Sequence, residues 1–218
     1  IVRQSAYAGA LARGGARAAA LEALLDRAGT GLQALARPQA VRVVLSPGTD
    51  GSGVSLAMSP DPATALVLAD PVLADGLRAG GQLSAGLVTL GFDQEAAFAQ
   101  AGGDYALHHV QTDLAREMLF AFARADERAL RANHPGWRLI RRPVRAEDAC
   151  GGVVLWDAAR VQALLALFGA RNPGVGLTET GFFRPLHALL GLSLLIPPGQ
   201  PVTAACSGLQ AAPQSGGG

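Results

Sequence analysis

The chain has 218 residues, half of them hydrophobic and 16% charged, with a formal net charge of +1; that is enough apolar material for a folded core and too little charge to draw the whole molecule to nucleic acid or an anionic membrane. All eighteen basic residues are arginine, which excludes a Schiff-base lysine, a P-loop lysine and a lysine general base. The two cysteines, Cys150 and Cys206, lack CxxC spacing and the four histidines form no ladder with Cys or Glu, so neither a disulfide framework nor a metal site is indicated, and the expected cofactor content is none.

The chain opens on Ile1, and "IVRQSAYAGALARGGARAAAL" carries arginines and no acid, as an amphipathic transit peptide does. Its continuation into "LEALLDRAG", with Leu21, Leu24, Leu25 and Ala28 at helical spacing, predicts instead an ordinary one-faced helix ended by Gly29. "VRVVLS" and "GVSLAMS" flank "PGTDGSG" and predict a hairpin near 41–59, with Val54, Leu56 and Met58 on its buried face. Asp61-Pro62 and Asp70-Pro71 each read as a helix start, an aspartate cap before a proline at the first helical position.

"LSAGLVTL" at 83–90 predicts a strand, "DQEAAFAQAGG" a short helix, "YALHH" a second strand, and Thr112 to Leu130 the best helix of the sequence, with Leu114, Met118, Leu119 and Phe122 buried. "RLIRRPV" and "GGVVLW" read as strands. Asp157 caps a helix whose stripe is Val161, Leu164, Leu165 and Phe168, closed by Gly169. "FRPLHALLG" predicts a short helix and "LSLLIPP" a last strand. Beyond Pro197 the composition turns to Pro, Gly, Ser, Gln and Ala, that of a flexible tail or linker. The expectation is one mixed α+β domain over 1–196 with short strands and several amphipathic helices, followed by a tail over 197–218.

The stretch "HHVQTD" contains the letters HHxxxD. It resembles the motif of the acyltransferase group that includes chloramphenicol acetyltransferase and peptide-synthetase condensation domains, and "LSAGLVTLGFD", "YALHHVQTD" and a following helix come in a similar order. The resemblance implies that His109 is a general base acting on an acceptor and that Asp113 is its structural partner. Leu114 stands where that family carries a glycine. A neutral imidazole does accept a proton near neutral pH once another group fixes its tautomer. Without the resemblance, the same letters describe a strand-to-helix junction, with one histidine buried, the other wet, and Asp113 at the positive end of the helix.

"WRLIRRPVR" gathers Arg138, Arg141, Arg142 and Arg145, an anion-binding candidate because guanidinium forks suit phosphate and carboxylate. His187 lies between leucines and reads as a packed core residue. The glycines of "PGTDGSG" and "ARNPGVG" lack phosphate-loop spacing, and "LHALLGLSLLI" is too short to span a bilayer. With few charges to cover its surface, the chain reads as a soluble, cytoplasmic, noncatalytic domain that works by protein contact, with a protein partner or a second copy of itself. No nucleic acid and no membrane span are expected, and acyl transfer through His109 is the alternative.

Overall fold

Alternate side chains of residues 82–89 and 188–196 point to opposite sides of one sheet, and two cores form on its two faces. The computed structural model describes residues 7–50, 53–56, 66–68, 70–145, 148–150 and 153–200. In chain order these form α1 (Ala8–Ala12), α2 (Gly15–Leu35), β1 (Gln39–Leu45), β2 (Gly48–Asp50), β3 (Gly53–Leu56), β4 (Leu66–Leu68), α3 (Pro71–Arg78), β5 (Gln82–Thr89), α4 (Gln94–Gln100) and α5 (Tyr105–Ala132). There follow β6 (Arg138–Val144), β7 (Asp148–Cys150), β8 (Val153–Trp156), α6 (Ala158–Ala166), β9 (Gly176–Leu177), β10 (Phe183–Arg184) and β11 (Ala188–Ile196).

The main sheet has the order β1-β5-β11-β6, antiparallel throughout. Leu83, Ala85 and Leu87 of β5 and Leu190, Leu192 and Leu194 of β11 face a core shared with α3 and α6. Val88 and Leu189 face the opposite core, where α2, α4 and α5 pack. This is the α+β domain expected, and no helix among the described residues is long and apolar enough to cross a membrane.

Three local expectations change. "YALHH" is not a strand: Asp104 accepts from the Leu107 amide at 3.0 Å and caps a 28-residue helix, about 42 Å long at the ordinary rise per residue. Leu107, Val110 and Leu114 then continue its buried stripe toward the N-terminus. "FRPLHALLG" is not a helix either. Its second half already belongs to β11, a central strand covered on both faces, so both parities are apolar and the alternation that would mark a strand is hidden. Nor does Gly29 end α2, which runs on to Leu35 because Leu32 adds another buried turn and Gly31 leaves room for the Gln111 side chain of α5.

The segment 41–59 does contain a hairpin, made by β2 and β3, with Val54 and Leu56 buried; β3 also pairs with β4. Val41–Leu45 instead leaves as the edge strand β1 beside β5, a long-range pairing that local sequence does not encode. Met58, Asp61-Pro62, Cys206 and residues 201–218 lie outside the described residues. Asp70-Pro71 starts α3 as expected: Asp70 accepts from the amides of Val72 at 3.0 Å and Leu73 at 3.1 Å. Asp157 does the same for α6 through the Arg160 amide at 2.7 Å.

Candidate functional site

The histidine doublet lies in the second turn of α5, where successive side chains diverge by about 100°. His108 turns inward, edge-on to Phe98 with ring centroids 5.2 Å apart, and among the described residues its buried Nδ1 has no hydrogen-bond partner. His109 turns outward with 76% of its side chain exposed. Its Nε2 stands 3.8 Å from Asp113 Oδ2, beyond hydrogen-bond reach.

Asp113 is engaged elsewhere. It accepts the Tyr7 hydroxyl at 2.7 Å and faces Arg116 at 3.2 Å, so it ties the N-terminal segment to α5 instead of fixing an imidazole tautomer. Burial, reinforced by the hydrogen bond to this carboxylate and its charge, pushes the Tyr7 hydroxyl up to about 12. Nor does Asp113 sit at the positive end of the helix, a place that Asp104 occupies. His187, read as a packed core residue, is buried and stacks on Phe92 at 5.1 Å between centroids. Burial lowers its pKa and the nearby His108 adds to that, while a hydrogen bond to the Thr112 backbone opposes it. Among the described residues no group of three or more His, Cys, Asp or Glu side chains is placed to hold a metal ion.

Strand alternation splits the four candidate arginines of β6 and its flank. Arg142 faces α3 and is taken up by Asp70, Nε to Oδ2 at 2.8 Å. Arg141 faces α5 and donates to Glu127 at 2.9 Å. Burial pushes the Glu127 carboxyl up, but hydrogen bonds and charge from Arg131 and Arg141 outweigh it and leave the group below its ordinary value. Arg138 is exposed at the start of the strand. Of the four, Arg141 and Arg145 line one concavity together.

That concavity is a groove of about 620 Å³ between α5 and the β6 edge of the sheet. Phe120, Ala123 and Arg124 of α5, Pro143 and Arg145 of β6 and its flank, and Leu189 of β11 line it. β6 pairs only with β11 in this sheet, and Pro143, which has no amide hydrogen to donate, suits such an edge strand. α5 is held from both edge strands, Asp126 accepting from Arg42 of β1 and Glu127 from Arg141 of β6. Past that contact Pro143 and Arg145 remain exposed and line the recess. Phe182 and Leu186, from the turn on either side of β10, close the rim. Exposure reaches 40% at Phe120, 64% at Phe182 and 47% at Leu186, large apolar surfaces left in water at one place.

Among known proteins, no family model matches the chain, and no curated protein does. Among solved structures it is similar to the MetH reactivation domain bound to AdoHcy, with a TM-score of 0.58 and 17% identity over 88% of this chain and 70% of that one. At that identity the likeness is one of fold.

The sequence did carry signals for the groove. Phe120 falls in line with Arg116, Arg124 and Arg128 at four-residue steps, so an aromatic ring stands in the polar stripe of α5. Phe182-Phe183 follows "TETG", a polar turn with no apolar face of its own to fill. The convergence of the two segments with Arg145 depends on the sheet order and has no local signature.

Proposed function

We propose that this chain is a noncatalytic binding domain and that its site is the groove between α5, β6 and the turn at 180–186. The observation that carries this reading is the clustering of Phe120, Phe182 and Leu186 with Arg124, Arg141 and Arg145 in one concavity. Exposed apolar side chains cost stability in water, and gathered in a recess they are what a ligand covers. The lining also lacks the parts of a reaction centre. Among the described residues it contains no histidine, carboxylate or thiol, and its only hydroxyl is Thr180, so no general base or activated nucleophile is at hand.

A small ligand is favoured over a protein surface because the recess is concave and its volume falls in the range of small-molecule sites. The similarity in fold to a domain solved with AdoHcy supports the same choice. Acyl transfer through His109 finds less support, since His109 lines none of the described grooves and its carboxylate partner is bonded to Tyr7.

Titration of the isotopically labelled chain with a small fragment library, followed by amide NMR shifts, tests the reading. Binders are expected to move resonances of residues 120–124 and 180–190 together, and the double substitution Phe182→Ala, Leu186→Ala should weaken them. Binders that map consistently to another surface would overturn it.

A further inference from the structure

We infer that the groove selects an amphipathic organic anion, an apolar body bearing one carboxylate, phosphate or sulfonate and no cationic group; this deepens, and rests on, the binding reading above. Three guanidinium groups line the recess, and among the described residues no carboxylate does. They are not equivalent. Arg141 is already held by Glu127, which also accepts from Arg131. Arg124 and Arg145 have no acidic partner among the described residues, and both line the recess, one from α5 and one from just beyond β6. An anion entering there meets two positive charges that no carboxylate among the described residues compensates, with guanidinium donors suited to it.

The apolar lining sets the second requirement. A bare inorganic anion would satisfy the arginines and leave Phe120, Phe182 and Leu186 wet, whereas an apolar body of ring or chain form covers them and displaces water from the recess. The same charge pattern disfavours a ligand carrying an ammonium or sulfonium group, which would enter a positive recess with no counter-charge on its walls. The ligand class is therefore narrower than that of a general hydrophobic pocket.

The test uses the full 218-residue chain and a matched pair of fluorescent probes, anilinonaphthalene sulfonate and the uncharged phenyl-naphthylamine. The sulfonate should bind about tenfold more tightly or better, the scale of one charge-assisted hydrogen bond. That advantage should shrink as salt is added and vanish in the Arg124→Ala, Arg145→Ala double variant. Both arginines are exposed, so the variant is expected to melt like the wild type. Phe182→Ala should weaken both probes alike. If both probes bind equally well, respond to Phe182→Ala and ignore the arginine substitutions, the groove binds without selecting anions and the inference fails while the binding reading stands. If neither probe responds to Phe182→Ala, the binding reading itself falls, and the inference with it.

Discussion

Replacing Asp70 by alanine removes two interactions that meet on one carboxylate. Oδ1 caps α3 through the Val72 and Leu73 amides, and Oδ2 accepts from Arg142 Nε across the face of the sheet. Loss of a side-chain cap costs about 1 kcal/mol. Breaking a buried ion pair from one side costs about 3–5 kcal/mol because the remaining charge is stranded; Arg142 keeps a fifth of its side chain exposed, and discounting for that access to water leaves about 2 kcal/mol. Asp70→Ala should therefore lose about 3 kcal/mol of folding free energy. In urea this would appear as a lower midpoint at unchanged slope. Asp70→Asn keeps a good cap acceptor in Oδ1 but turns an amide NH2 toward Arg142, so it loses the charge and the hydrogen bond to Arg142 while retaining the cap, and its cost should be the smaller of the two by about the 1 kcal/mol of the cap. An alanine variant within about 1 kcal/mol of the wild type, or an asparagine variant as costly as alanine, would refute the assignment of Asp70 as a double anchor.

Two further predictions concern the histidines. His187 has a folded pKa below its ordinary value of 6.5, so the folded state favours the neutral ring; its contribution is fully present above pH 6.5 and is lost as pH falls from there through the lowered folded value. Urea midpoints should decline between about pH 7 and pH 5, before carboxylates such as Asp104 and Glu127 titrate, and His187→Phe should flatten that decline; an unchanged slope in the variant would count against it. His109→Ala should shift stability by less than about 0.5 kcal/mol and leave probe binding in the groove unaltered. Acyl transfer from a thioester that the wild type performs and His109→Ala abolishes would overturn the noncatalytic reading.

Much of the fold is visible in the residues where one element sees one environment. The Asp70 and Asp157 caps, the stripe Val161, Leu164 and Leu165, and the apolar run of β5 are each local patterns with one solution, although α6 ends at Ala166 and the expected Phe168 is buried from the turn beyond it. The errors fall where neighbours decide. β11 is covered from both sides, so its continuous leucines carry no parity, and the Pro-Leu-His entry looked helical. The start of α5 was legible but outweighed: Gly102 and Gly103, both at positive φ, followed by Asp104 form a stop and a cap, yet "YALHH" lacks the polar-apolar rhythm of the later turns. Of the candidate site, charge alone pointed to the arginines. Which of them face the same recess was set by the alternation of β6, and that requires knowing that the segment is an edge strand.

The placement of α5 explains why the HHxxxD letters lie outside the recess. Its first half must bury Leu107, Val110 and Leu114 against α2, which turns His108 into the core and His109 to water. Its second half lies against β5 and β11 and is held to both edge strands, by Asp126 on Arg42 and by Glu127 on Arg141. Beyond the Arg141–Glu127 contact the helix leaves Pro143 and the flanking Arg145 exposed, and the recess lies there. The packing that disperses the HHxxxD letters is thus the packing that opens the groove. Because Asp126 helps to hold α5 beside the recess, Arg42→Ala is expected to lower the urea midpoint and also to weaken probe binding; unchanged probe affinity in that variant would refute the coupling.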